Sequence, residues 1–321
     1  MISAQSTAFV FPGQGSQMVG MGKDLAGKYP IARQTFEEAD EILGFALSQT
    51  AWEGPAEILN ETRYTQPALV VHSIAALRVF QEQFPNFMPA FMAGHSLGEL
   101  SALIAAGSIP FADGVRLAKL RGEVMAAAGE QAPGGMAAIL GLDIPTVEKI
   151  CAEASNEAEK VVVANDNCPG QVVISGSKKA VERAISLATD AGARRVVPLA
   201  VSVAAHSHLM KPAQERFNQA LAETPITPPR VPVIGNISAS PLETADAVRS
   251  DLSAQLTGRV RWTESVQFML AHGVDTFIEI GTGNVLTGLV KRINRKTKRY
   301  TCGTSQDIET LKSAFKAGEA T

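Results

Sequence analysis

A serine set between two glycines, Gly94-His95-Ser96-Leu97-Gly98, is the pattern in this chain with the most direct chemical meaning. A short apolar run, Pro89 to Ala93, precedes it, and a helical stretch, Glu99 to Ala106, follows and stops at Gly107. The serine therefore stands on a tight strand-to-helix turn. Glycines on both sides remove side chains that such a turn would crush, the hydroxyl is pushed outward, and the N–H of Leu97 points into the same space. The helix N-terminus beneath it favours negative charge. This is the equipment of nucleophilic acyl chemistry; an ordinary strand-to-helix turn is the alternative reading of the same five residues.

A serine hydroxyl is barely ionised at neutral pH and needs a base. The five histidines are His72, His95, His206, His208 and His272. His72 lies inside an apolar helix and reads as a core residue. His95 adjoins the serine too closely to turn its ring onto it, and reads as packing beside the turn. His272 precedes Gly273 at a helix end, where an imidazole caps carbonyls. The base is thus expected at His206 or His208, which follow an apolar run, 201–205, where a strand end opens into a loop. Zinc binding by the His206-Ser207-His208 pair lacks a third ligand cluster. A general hydrolase would place its histidine late in the chain, and none follows His272.

The elements that must position these groups read as an α/β protein. Thr7 to Phe11 is a buried first strand stopped at Pro12-Gly13, and a buried helix is expected from Gln66 to Phe84. From 131 to 199 the pattern changes. Strands at Met136–Leu142, Val161–Asn165, Gln171–Ser175 and Arg194–Leu199 alternate with helices at Pro145–Ala158 and Lys178–Ala191. That β-α-β-β-α-β order is a small ferredoxin-like domain inserted into a larger one. The larger part spans 1–130 and resumes over 200–321, with strands near Val231–Ile237 and Thr276–Ile280.

Composition narrows the function classes. The chain has 321 residues, 45% of them hydrophobic and 19% charged, enough to bury a large core. With 29 Lys+Arg against 32 Asp+Glu the net charge is −3, and aromatics make up 6%, which argues against nucleic-acid binding. The opening residues carry no secretory pattern and no segment is long and apolar enough for a membrane span, so a cytoplasmic location is expected. Cys151, Cys168 and Cys302 are too few and too scattered for a disulfide framework or structural zinc. Lys291 to Tyr300 holds six basic residues in ten; it reads as a solvated helix end, with a patch for coenzyme A phosphates or an acidic carrier protein as the functional alternative. Gly281-Thr282-Gly283 lacks the residues of a phosphate loop.

Six motifs in order resemble the malonyl-CoA:acyl carrier protein transacylase family over nearly the whole chain. They are Phe11-Pro12-Gly13-Gln14-Gly15-Ser16-Gln17, then Gly94-His95-Ser96-Leu97-Gly98-Glu99, then Lys119-Leu120-Arg121-Gly122. Gly170-Gln171-Val172-Val173-Ile174-Ser175-Gly176 follows, then His206 upstream of Leu209-Met210-Lys211-Pro212, and last Glu279-Ile280-Gly281 with Val285-Leu286-Thr287-Gly288-Leu289. The resemblance implies a large α/β-hydrolase-like domain with the ferredoxin-like insert. It also implies Ser96 as the acylated nucleophile, His206 as base, and an oxyanion hole from the Gln14 and Leu97 amides.

By the same resemblance Arg121 clamps the substrate's free carboxylate, although alone it reads as a surface residue of Arg116-x-x-Lys119-x-Arg121. Met125 and Met136 match acyl-pocket positions, or are ordinary core methionines, and His95 joins the substrate-binding set. No triad acid is evident, and a backbone carbonyl near Arg261-Trp262 is expected to orient the histidine. Leu100 and Thr282 depart from the pattern. The implied reaction is ping-pong malonyl transfer from malonyl-CoA to acyl carrier protein for fatty-acid synthesis, with no metal or cofactor. A polyketide-pathway acyltransferase, a thioester hydrolase and a non-catalytic carrier-protein scaffold are the alternatives.

Overall fold

The computed structural model describes residues 2–199, 201 and 203–319; positions 200 and 202, within the expected junction, lie outside the described residues. Among the described residues, strands β1 (Thr7–Phe11), β2 (Phe91–Gly94), β3 (Gly134–Leu140), β4 (Val161–Cys168) and β5 (Gln171–Ser177) are followed by five more. These are β6 (Arg195–Pro198), β7 (Val233–Ile234), β8 (Pro241–Leu242), β9 (Thr276–Ile280) and β10 (Lys298–Cys302). They form two sheets.

The larger sheet runs β10-β9-β1-β2-β7-β8, parallel except for the last pair. Strand side chains alternate between faces, and β1 shows what this does in a sheet covered on both sides. Phe9 and Phe11 enter one apolar core with the helices Thr62–Gln83, Gly98–Ala105 and Phe111–Gln131. Ala8 and Val10 enter another with the helices Trp262–Ala271 and Val285–Ile293. Phe11 pairs with Gly94 across β1 and β2. The segments holding Gln14 and Ser96 therefore leave adjacent strands at the same carboxyl edge, where such sheets place their ligands.

The smaller sheet is antiparallel, in the order β4-β5-β3-β6. Its helices, Ile144–Ala154 and Lys178–Asp190, close a core of their own. Val147, Ile150, Cys151 and Ala154 are buried at helical spacing, which is why this segment closes a separate layer. Two backbone bonds tie the layers together: Asp166 N–H to Val260 O and Val260 N–H to Ala164 O, both 2.9 Å.

Several element bounds differ from expectation for physical reasons. The long helix begins at Thr62, not Gln66, because its first turn is polar and aims Thr62 and Gln66 at Gln14. The helix from Ile144 stops at Ala154, since Asn156 Oδ1 takes the Ala158 and Glu159 N–H groups into a turn. Strand β4 runs past the expected end at Asn165 to Cys168 through two irregularities, carrying polar Asp166 and Asn167 that do not look like strand residues. The basic stretch is not one helix end: the helix closes at Ile293, and Lys298 opens the edge strand β10, where cations also discourage further pairing.

Candidate active site

The serine turn is as tight as its glycines require. A Cβ on Gly94 would lie 1.9 Å from the Gly98 carbonyl carbon, and one on Gly98 would lie 2.1 Å from the Phe11 oxygen. Ser96 itself holds φ at +52°, a left-handed backbone that costs a non-glycine residue about 1–3 kcal/mol. Asn236 restrains it from both sides. Its Oδ1 accepts the Ser96 N–H at 2.7 Å and its Nδ2 donates to Gly94 O at 2.7 Å.

The Ser96 hydroxyl donates to His206 Nε2 at 2.8 Å. On the other side of the ring, Nδ1 faces the carbonyls of Gln255 at 2.9 Å and Gly258 at 3.1 Å. Carbonyls only accept, so Nδ1 carries the proton and Nε2 presents its lone pair to the serine. Burial, reinforced by the Arg121 guanidinium, lowers the imidazole pKa to about 3, which keeps it neutral and able to accept a proton. The orienting carbonyls come from Gln255 and Gly258, not from the expected Arg261-Trp262 position. Arg261 is instead paired with Glu264 and the Ile237 carbonyl. His208 is exposed, which separates it from His206 as a base and leaves no shared zinc site.

Arg121 overturns its surface reading: it is 1% exposed. Its Nη1 donates to Gln66 Oε1 at 2.9 Å, and its Nη2 donates to Gln255 Oε1 at 2.9 Å and Ser96 Oγ at 3.2 Å. All three partners are neutral, and Nε is buried without one. Burial lowers the guanidinium to about 10, so it remains a cation at neutral pH. Among the described residues no carboxylate pairs with it directly, since Glu99 stands behind the Gln255 amide, and a buried cation so placed is unfavourable unless an anion completes it.

The remaining candidates gather around a cavity of about 550 Å³ lined by both sheets. Gln14, His95, Met125 and Met136 all line it. Gln14 links to Thr62 and Gln66 through 3.3 Å bonds. Leu97 has a buried side chain, and among the described residues neither its backbone N–H nor that of Gln14 is spent on another backbone group. Met125 takes an N–H from Gln66 on its sulfur, whereas Met136 is only partly buried on β3. His95 Nε2 meets Asn167 Oδ1 at 2.8 Å and its ring abuts Trp262 edge-on. His272 caps Phe268 O as expected, and His72 bonds Gly303 O in the core, with its Nδ1 left unpartnered.

Sequence reasoning missed Gln66, Asn236 and Gln255, the neutral amides that hold the charged and strained groups in place. Nothing local marks them, because an amide's role depends on what the fold sets beside it. Among the described residues no group of three or more His, Cys, Asp or Glu side chains is placed to hold a metal, and no helix is long and apolar enough to cross a membrane.

Residues 8–314 match the model of the acyl transferase domain family. The malonyl CoA-acyl carrier protein transacylase of Escherichia coli K12 is 51% identical over 286 residues, 89% of this chain and 92% of that protein. The Bacillus subtilis enzyme of the same name is 47% identical, covering 94% and 95% of the two chains. The crystal structure of malonyl-CoA:acyl carrier protein transacylase from Xanthomonas oryzae superposes with a TM-score of 0.93 at 42% identity, over 98% of this chain and 99% of that one. A malonyl-transacylase in complex with a type II polyketide acyl-carrier protein gives 0.91 at 45% identity, over 95% and 98%. The chain belongs to the malonyl-CoA:acyl carrier protein transacylase family of acyl transferases.

Proposed function

We propose that Ser96 accepts a malonyl group from malonyl-CoA and passes it to the phosphopantetheine thiol of an acyl carrier protein, supplying extender units for fatty-acid synthesis. The observation that carries this reading is Arg121, a buried cation with neutral partners, one of them the nucleophile's own oxygen at 3.2 Å. A substrate with a carboxylate a few bonds from its reacting carbonyl supplies the missing anion, and malonyl is such a group.

In the first half-reaction His206 Nε2 takes the hydroxyl proton as Ser96 Oγ attacks the thioester carbonyl. The Gln14 and Leu97 amides receive the oxyanion, and the tetrahedral adduct collapses with loss of coenzyme A thiolate, which takes the proton back from His206. In the second half the carrier thiol gives its proton to His206 and attacks the malonyl-serine ester, and the adduct collapses with loss of Ser96 Oγ, which takes that proton back from His206 Nε2. Arg121 holds the carboxylate through both halves, while Met125, Met136 and His95 shape the acyl pocket.

The same reading takes the large sheet as an α/β-hydrolase-like scaffold and residues 131–199 as a ferredoxin-like insert. The strand order β6-β3-β5-β4 with antiparallel neighbours supports the insert. It also places the enzyme in the cytoplasm and offers the exposed cations of 291–298 to coenzyme A or the carrier protein. Incubation with labelled malonyl-CoA should mark Ser96 and holo acyl carrier protein should discharge it. Labelling that survives Ser96→Ala overturns the assignment, and discharge to water at the rate of discharge to the thiol makes the chain a hydrolase.

A further inference from the structure

Gln255, 1% exposed at the end of the helix Ala245–Gln255, joins the separate parts of the site. Its backbone carbonyl holds His206, its Oε1 accepts from Arg121, and its Nε2 donates to Ser96 O at 3.0 Å and to Glu99 Oε2 at 2.6 Å. Glu99 is fully buried. Its Oε2 also accepts the Asn236 N–H at 3.3 Å, whereas its Oε1 has no hydrogen-bond partner.

The neighbouring acid is Asp251, 5% exposed and on the same helix as Gln255: the successive N–H groups of Asn236 and Ile237 go to Glu99 Oε2 and Asp251 Oδ2. Asp251 receives a backbone N–H on each oxygen, from Ser238 at 3.0 Å and Ile237 at 3.2 Å. Those donors suit an anion. Two buried carboxyls held on adjacent backbone N–H groups repel one another as anions, and the one with an unpartnered oxygen is the one that gains by carrying the proton. Burial and the Asp251 charge both raise the Glu99 carboxyl well above its ordinary range.

We propose that Glu99 is protonated at Oε1 and donates to Asp251, and that it is a positioning and specificity residue. It fixes the Gln255 amide without setting a second negative charge beside Arg121. The guanidinium then meets its first full counter-anion in the substrate. This rests on the reading that Arg121 receives the malonyl carboxylate. An ionised Glu99, one amide away from the guanidinium, would compete with that carboxylate.

The test is a pair of conservative variants and their combination, assayed with malonyl-CoA and acetyl-CoA. Glu99→Gln mimics the protonated acid and should leave KM for malonyl-CoA within about twofold of the parent chain. Asp251→Asn removes the proton acceptor and lets Glu99 ionise, so KM for malonyl-CoA should rise about tenfold while the acetyl-CoA value moves far less. Adding Glu99→Gln to Asp251→Asn should restore malonyl binding, a rescue that simple loss of packing does not produce. A double variant no better than Asp251→Asn overturns the proposal, as does a malonyl-specific loss in Glu99→Gln alone.

Infrared spectroscopy of the unliganded protein at neutral pH gives a readout independent of turnover. It should show a protonated-carboxyl C=O band that Glu99→Gln removes and Glu279→Gln leaves in place. Absence of that band from the parent chain defeats the proposal even where a variant fails to fold. Failure of Ser96 to take malonyl at all counts against the transferase reading and leaves the band unchanged.

Discussion

The parallel and the antiparallel sheet face each other across one cavity, yet they hold their side chains differently. On the parallel side the polar residues are locked: Glu99, Arg121, Asn236 and Gln255 are at most 1% exposed and bonded to one another or to the serine turn. On the antiparallel side Met136 and Gln171 are only partly buried, and Val173 adds an apolar surface. One wall bears backbone strain and buried charge, which demand exact support. The other presents shape, which tolerates adjustment. The difference teaches that the charged and strained groups are concentrated on one wall, and substitutions on the two walls should differ in size.

The largest effect should come from Ser96→Ala. It should abolish covalent malonyl loading, a loss of about 10⁴-fold or more in kcat measured by transfer to holo acyl carrier protein. Arg121→Ala should follow at roughly two orders of magnitude in kcat/KM for malonyl-CoA, the scale of losing a charge-assisted pair in a buried site. Uncharged acyl-CoAs should lose much less, and an equal loss for both substrates would show that Arg121 only packs.

The serine turn was legible because its chemistry is local: Gly94, Ser96 and Gly98 are needed within five residues for steric reasons that GxSxG states outright. The small sheet was legible through periodicity, with apolar residues such as Val147, Ile150 and Cys151 one turn apart. Arg121 was legible only through the resemblance of its motif, since Arg116-x-x-Lys119-x-Arg121 has the pattern of a solvated face and the packing of Phe111–Gln131 against Thr62–Gln83 helps to bury it. Asn167 was not legible as a strand residue, because a polar side chain facing a cavity breaks the alternation that marks a strand. Gln66, Asn236 and Gln255 act across 55, 140 and 134 residues of chain, and pairing at that distance leaves no local trace.

Asn236→Ala probes the locked wall without touching a charge. It strips Ser96 N–H and Gly94 O of their partner, so the chain should lose about 2 kcal/mol of stability in denaturant unfolding and about tenfold in the rate of serine loading. Met136→Ala probes the adaptable wall. It should change malonyl loading only a few-fold while easing entry of a methyl-branched malonyl group, since one methylene is worth about 1–3 kcal/mol of discrimination. If Met136→Ala lowers loading as much as Asn236→Ala does, the division between the walls fails.

The smallest expected change is in the pH profile of serine loading, and it is informative because it is small. His206 sits at the seam of the two layers, its ring gripped by the Gln255 and Gly258 carbonyls. With its pKa lowered to about 3, the imidazole stays neutral as pH falls through the range where an ordinary histidine gains a proton. The rate of loading, followed in a single turnover, should therefore be nearly flat from about pH 8 to about pH 5. A histidine at its ordinary value near 6.5 would instead lose about tenfold per pH unit below that point. Folding carries the opposite burden. The unfolded chain binds a proton at this position below about pH 6.5 and the native one does not, so this residue subtracts stability as pH falls from there toward 3. A flat rate together with acid-weakened stability is the signature of a base kept neutral by burial and by the neighbouring guanidinium. Arg121→Gln should raise that imidazole pKa while burial still holds it below its ordinary value, so the downturn in rate should move toward the acid end of the measured range, tying the base to the locked wall that surrounds it.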